Sequence, residues 1–175
     1  MAHDFTLVVI DPGKDGGLAI ANPEFPRTTT VRKSPETPVQ QAELLRDVVR
    51  EAKADGAKNI IAIMEGVHSF PARMVPCPHC RRPVRQPQGS KSIWTFAQNA
   101  CAWEIACFLC GVPVRKVTPS VWQRTVGFAL SKEKPVRKNQ LKSAAMVSFP
   151  HLRVTLWNAD ALMILRYAIV KNVWR

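Results

Sequence analysis

Acidic side chains are scarce over most of this sequence. Beyond residue 65 only Glu104, Glu133 and Asp160 remain, against seventeen Lys and Arg, whereas the first 65 residues hold ten acids and eight basic residues. An aspartate that survives almost alone in a positive segment is not there for solubility. The chain also lacks any apolar run near the roughly 20 residues that a membrane span needs, so no membrane association is expected. Its amino-terminal stretch shows no basic region followed by an apolar segment of signal-peptide length. There is no glycine-rich phosphate loop of Rossmann or Walker type, which argues against those nucleotide folds. Cysteine is present but odd in number, five in all, with two pairs at Cys-x-x-Cys spacing. That usage argues against a secreted disulfide framework and for a reducing setting, the cytoplasm or an organelle matrix.

What is present is positive charge. A net charge of +12 and a pI near 10.0 fit a polyanionic partner, and clustered Lys and Arg favour phosphate backbones. At 175 residues the chain suits one domain, residues 1–175, with an ordinary core. Phe5 to Ile10 is a β-branched run closed by Asp11, and Pro-Gly then turns the chain before Gly-Gly-Leu-Ala-Ile-Ala resumes an extended pattern. A third strand near Thr28 to Arg32 precedes a helix over Val39–Ala54, with Val39, Ala42, Leu45, Val48, Val49 and Ala52 on its apolar face. Lys58 to Glu65 reads as a buried strand. His68 to Lys91, Pro-rich, basic and free of acids, reads as a surface loop. Further helices are expected over Ser92–Cys110, Thr118–Val126 (short), Val136–Ser148 and from Asn158, a favoured N-cap residue, to about Val173. Between them fall a strand, Val112–Val117, and a basic loop, Gly127–Pro135. The order βββαβαβαα predicts an α/β fold built on a mixed sheet.

Three acids stand where acids are expensive. Asp11 closes Val-Val-Ile, Glu65 closes Ile-Ile-Ala-Ile-Met, and Asp160 opens Ala-Leu-Met-Ile-Leu. A carboxylate at the edge of an apolar core needs compensation. Taken singly, Asp11 reads equally well as a turn initiator and Asp160 as an acid at the positive end of a helix. If their elements are neighbours, however, the three converge and repel unless a divalent cation binds. Oxygen ligands with only four histidines in the chain favour Mg²⁺ or Mn²⁺ over Zn²⁺. Two such ions about 4 Å apart can activate water and stabilise a leaving oxygen in phosphodiester hydrolysis.

Ile-Asp-Pro-Gly followed by Gly-Gly, then Met-Glu-Gly-Val-His, then Gln-Gly-Ser-Lys-Ser before an aromatic helix, and finally Asn-Ala-Asp-Ala-Leu, occur in that order over most of the chain. Together they resemble the RuvC-type Holliday junction resolvases, especially the shorter forms met in bacteriophages. The resemblance implies an RNase H-like fold, a mixed five-stranded sheet flanked by helices. It also implies a homodimer that makes paired nicks in branched DNA, a four-way junction, in the cytoplasm of a bacterial or phage-infected cell. It assigns Asp11, Glu65 and Asp160 to metal ions, two per site. A fourth ligand is expected about one helical turn before Asp160, but Trp157 stands there, leaving Asn158, Asp15, His151 or water as candidates. Lys138 resembles in position a family lysine near the scissile phosphate, and Trp122 stands where another lysine is usual.

The remaining candidates concern DNA and zinc. Arg73, Arg81, Arg82, Arg85 and Lys91 in the first basic loop, and Lys132, Lys134, Arg137, Lys138 and Lys142 in the second and its helix, are candidate phosphate contacts. The alternative for such a run is a solvated helix face. Phe70 falls where the family inserts an aromatic wedge at the crossover, against ordinary loop packing under Pro71. Trp94, Phe96 and Trp103, at helical spacing, read as core or dimer interface. Cys77-Pro-His-Cys80 looks like half of a structural Zn²⁺ knuckle that would need His68, His79 or a second subunit to reach the four ligands zinc wants, with an unmetallated loop as the default. Cys107 and Cys110 read as core. Two alternatives to a junction resolvase stand: an RNase H-like nuclease preferring flaps or forks, and a junction-binding architectural protein without cleavage.

Overall fold

The computed structural model describes residues 4–66, 73–86 and 90–174, of which residues 73, 85–86 and 90–92 are described by backbone only. A five-stranded mixed sheet forms the centre, in the order β3-β2-β1-β4-β7. The strands β1 (Phe5–Ile10), β2 (Gly17–Ala21) and β3 (Thr30–Lys33) form an antiparallel meander, while β4 (Asn59–Glu65) and β7 (Val114–Val117) extend it in parallel from β1. The parallel steps are made possible by helical crossovers, as such pairings require. Helix α1 (Pro38–Ala54) links β3 to β4, and α2 (Ser90–Leu109) links β4 to β7.

Alternation along β1 sorts the core into two layers. Val8 and Ile10 pack with Leu45 and Val48 of α1 and with Trp103 and Cys107 of α2. Leu7 and Val9 pack with Ile63 of β4, with Leu141 and Ala145 of α4 (Lys134–Ser148), and with the buried residues of α5 (Ala159–Val170). Burying the sheet on both faces is why β1 and β4 read as continuous apolar runs rather than alternating ones. Seven of the twelve α5 residues are buried, so α5 is a core helix laid across the sheet.

The expected elements are present with adjusted ends. Thr37 and Gln40 form a reciprocal capping box that starts α1 at Pro38, a proline fitting the first turn because its missing N–H is not needed there. Val39 is exposed and Gln41 takes the buried place, its amide donating to Pro35 O. Pro135 likewise lies inside the first turn of α4 rather than in the preceding loop. The Thr118–Val126 segment is α3 (Pro119–Trp122) followed by a 3-10 turn, Gln123–Val126. The clearest departure is the supposed surface loop from His68 to Lys91. It carries an antiparallel hairpin, β5 (Arg73–Pro76) and β6 (Pro83–Gln86), and its last residues open α2 at Ser90. Proline at a strand end hid the hairpin, yet a two-stranded ribbon has only edges and edges tolerate proline.

Candidate active site

Parallel pairing of β1 with β4 sets Ile10 opposite Met64, so the next residues, Asp11 and Glu65, are neighbours at the carboxyl ends of adjacent strands. Residues 7 and 9 of β1 and 63 of β4 face α5, and the two-residue period sends Asp11 and Glu65 to that same face. Asp160 lies in the first turn of α5. The three acids line one cleft of about 1030 Å³, with Lys14, Asp15, Phe96, Lys134, Lys138 and Trp157 also on its walls.

Each carboxylate is held differently. Asp11 is buried and accepts the Gly13 backbone N–H at 3.0 Å. The turn is tight enough that a Cβ on Gly16 would lie 2.2 Å from Asp11 O, so only glycine lets the chain fold back here. Glu65 Oε1 accepts the indole N–H of Trp122 at 3.0 Å. Asp160 Oδ2 receives Lys138 Nζ at 2.9 Å, while its Oδ1 is buried without a partner. Burial, then the charge of Asp160, pushes the Asp11 carboxyl up to about 6. Burial, then the charge of Asp11, pushes Glu65 up to about 8 against the pull of Trp122. Burial disfavours the Lys138 ammonium, but Asp160, Asp11 and Glu65 outweigh it and hold its pKa above the ordinary lysine value.

These observations fit a divalent cation by donor type and charge. Three carboxylates share a desolvated pocket, two of them are pushed towards protonation, and a buried carboxylate oxygen has no donor. An ion bound to hard oxygens relieves all three conditions. Among the described residues no three His, Cys, Asp or Glu side chains already stand as a closed ligand group, so what fits is the chemistry and not a preformed cage.

Other expected residues fall in and out of the site. Lys134, Lys138 and Lys142, spaced by four, follow one row along α4, and the first two reach the cleft. Arg137 instead folds back onto its own loop, donating to Ser131 O and Lys132 O, and Lys132 is exposed outside the cleft. Asn158, expected as a weak ligand, is engaged elsewhere. It is fully buried, its Oδ1 accepting Thr155 N–H at 2.7 Å and its Nδ2 donating to Arg153 O at 3.1 Å, so it neither faces the carboxylates nor caps α5 with its side chain. His151 is exposed, and of the proposed substitutes only Asp15 lines the cleft. Trp157 lies against the backbone of Gly17, where an added Cβ would sit 2.7 Å from the ring.

Arg81 and Arg82 are exposed at the tip of the hairpin, Arg73 and Arg85 lie on its two strands, and Lys91 lies in the first turn of α2. His68 and Phe70 fall outside the described residues. Of the α2 aromatics, Trp103 is core, Trp94 is exposed, and Phe96 joins Thr95 and Asn99 on the cleft wall. Cys107 is fully buried, and burial pushes its thiol up to about 12, which makes it a core residue. The sequence reading missed Lys14, Thr95, Asn99 and the Trp122–Glu65 contact. Of these only Lys14, beside the Asp11 turn, carried a local signal.

This sheet order, with its carboxylates at the ends of β1 and β4 and the start of the last helix, defines a RuvC-type fold of the RNase H-like kind. Two solved structures of Thermus thermophilus RuvC are similar over nearly the whole chain. One, in complex with a Holliday junction substrate, has a TM-score of 0.55 and 16% identity, covering 97% of this chain and 96% of that chain. The other has a TM-score of 0.56 and 17% identity over the same shares. No family model matches the sequence, and no curated protein matches it.

Proposed function

We propose that the protein is a divalent-metal-dependent endonuclease that resolves four-way DNA junctions by paired phosphodiester hydrolysis, acting as a homodimer. The observation that carries this reading is the meeting of Asp11, Glu65 and Asp160 in one cleft beside Lys134 and Lys138, on a fold shared with a junction-bound RuvC. Asp11, Glu65 and Asp160 would hold Mg²⁺ or Mn²⁺, which supplies an activated water and stabilises the leaving oxygen. The chain's own residues do the rest. Lys138 offsets the negative charge of Asp160 and presents an ammonium where a phosphate must approach three carboxylates. Lys134 and Lys142 continue the positive row along α4 and track the phosphate backbone. Trp122 fixes the orientation of Glu65.

The dimer is supported by α2. Ile105, Phe108 and Leu109 are 53%, 83% and 70% exposed, an apolar patch that a monomer would leave in water. A two-fold pair places two equivalent sites on two equivalent strands of a junction. Among the described residues no helix is long and apolar enough to cross a membrane.

One observation favours a second reading, a junction-binding protein that does not cut. Trp157 stands where a further ligand is expected, and Asp160 is already paired with Lys138. Cleavage of a four-way junction in Mg²⁺, beside duplex, flap and fork controls, separates these readings. Paired nicks on the junction alone, lost in Asp160→Asn while binding persists, are expected. Binding without nicks in Mg²⁺ or Mn²⁺ would refute the nuclease, and equal cutting of flaps or forks would refute the junction preference.

A further inference from the structure

The turn between β5 and β6 has the construction of a metal knuckle. Pro76 pairs with Pro83 at the end of the ladder, and inside it Cys77 N–H donates to Arg82 O at 2.8 Å while Arg81 N–H donates to Cys77 O at 2.9 Å. This closure forces Arg81 to a φ of 56°, a left-handed conformation that a non-glycine residue keeps only when its surroundings demand it. The Cys77 thiol is held below its ordinary value, chiefly by the adjoining backbone N–H groups of Cys80 and His79. Amides aimed at a cysteine sulfur favour its thiolate and are the outer contacts by which a metal-bound cysteine is oriented. Both cysteines are free thiols.

Among the described residues the hairpin buries little apolar surface. Met74 is 59% and Val84 39% exposed, and none of residues 74–84 is buried. A lone two-stranded ribbon is marginal in water without a further staple. Two thiolates are soft ligands that suit Zn²⁺, in contrast to the oxygen set at the cleft. No acid occurs between Glu65 and Glu104, and exposed Arg81 and Arg82 adjoin the turn, so the surroundings offset the negative charge of a thiolate-rich site.

Two ligands are half of a tetrahedral site. Among the described residues no further His, Cys, Asp or Glu joins them, and a two-fold axis offers an identical pair to complete the four. We infer that Cys77 and Cys80 form a zinc half-site completed by the same two cysteines of a second copy of this chain, so that one Zn²⁺ links two hairpins. The inference does not depend on the nuclease reading, and its test involves no cleavage.

The test is zinc content by elemental analysis and native mass spectrometry of the full chain, expressed with added zinc and purified without chelator under reduction. One zinc per two chains is expected, lost in Cys77→Ser and in Cys80→Ser but retained in Cys107→Ser. Replacement by Co²⁺ should give the intense visible absorption of a tetrahedral all-sulfur site. Because a variant can lose metal by misfolding, thiol alkylation mapped on the unmutated protein provides an independent reading: Cys77 and Cys80 should be protected until zinc is chelated, and Cys101 should react throughout. No bound zinc, zinc retained in both hairpin variants, one zinc per chain, or unprotected Cys77 and Cys80 would each overturn the inference.

Discussion

Glu65→Gln should make the metal-free protein more stable above neutral pH while abolishing its activity. In the folded chain burial and the charge of Asp11 raise the Glu65 carboxyl from 4.5 to about 8. Below 4.5 both folded and unfolded chains hold this proton, so the group contributes no pH dependence. Between 4.5 and 8 the unfolded chain is ionised while the folded one keeps the proton, and stability falls as pH rises through that window. The full shift corresponds to about 5 kcal/mol at 1.36 kcal/mol per unit. Sharing of the effect with Asp11 and screening by the open cleft reduce this to about 2 kcal/mol, or roughly 4–8 °C in Tm for a domain of this size. Asp11 adds the same sign over a lower window, from 3.8 to about 6. Thermal melts in chelator across that pH range should therefore show a declining Tm that Mg²⁺ restores, because the ion binds the ionised carboxylates. Glu65→Gln should flatten the decline and remove most of the Mg²⁺ effect. A flat profile in the unmutated protein, or a Glu65→Gln variant less stable than its parent at high pH, would refute the electrostatic account.

Trp122→Phe removes one hydrogen bond to Glu65 and should raise the Mg²⁺ concentration for half-maximal cleavage roughly tenfold, a hydrogen bond to a charged group being worth about 1.5–3 kcal/mol; an unchanged titration would deny Trp122 its positioning role. Lys134→Ala and Lys142→Ala should each lower the slope of log affinity for junction against log salt by about 1, and an unchanged slope means that residue meets no phosphate. In metal-free protein the Lys138→Met and Asp160→Asn changes should not add, since each single change strands its partner; a double-mutant cycle by chemical denaturation should return a coupling of about 1 kcal/mol, and additivity would show the pair to be incidental.

The strands and the three acids were legible because burial on both sheet faces writes itself as continuous apolar runs, and an acid that ends such a run has no ordinary reason to be there. Local sequence could not say that Asp11 and Glu65 face the same helix. That follows from the parallel register, which depends on the α1 crossover returning β4 beside β1. The hairpin was hidden because Pro76 and Pro83 read as loop residues, although they pair with each other at its end. Asn158 stands at the N-cap of α5 as its preference led one to expect, but its side chain serves Thr155 and Arg153 in the preceding turn instead of the helix. Arg137 was counted with its basic neighbours because charge runs carry no record of which member turns back to cap a loop.

The two tryptophans where the family resemblance leads one to expect polar residues act differently on the site. Trp122, 1% exposed, keeps a donor on Glu65 without bringing a charge, so the burden of offsetting the buried carboxylates falls on Lys138 and on whatever cation enters. Trp157 brings no donor to the acids and instead packs its ring on Gly17, giving the cleft an apolar wall beside Leu156 and Phe96. Neither tryptophan brings a positive charge to the acids, and burial together with their mutual repulsion leaves Asp11 and Glu65 raised, the Trp122 hydrogen bond only partly offsetting this at Glu65. On the proposed reading, a site built this way would bind a divalent metal against proton competition near neutral pH. Its activity should consequently depend on Mg²⁺ concentration more steeply at pH about 6 than at pH about 8, where Glu65 and Asp11 are already losing their protons.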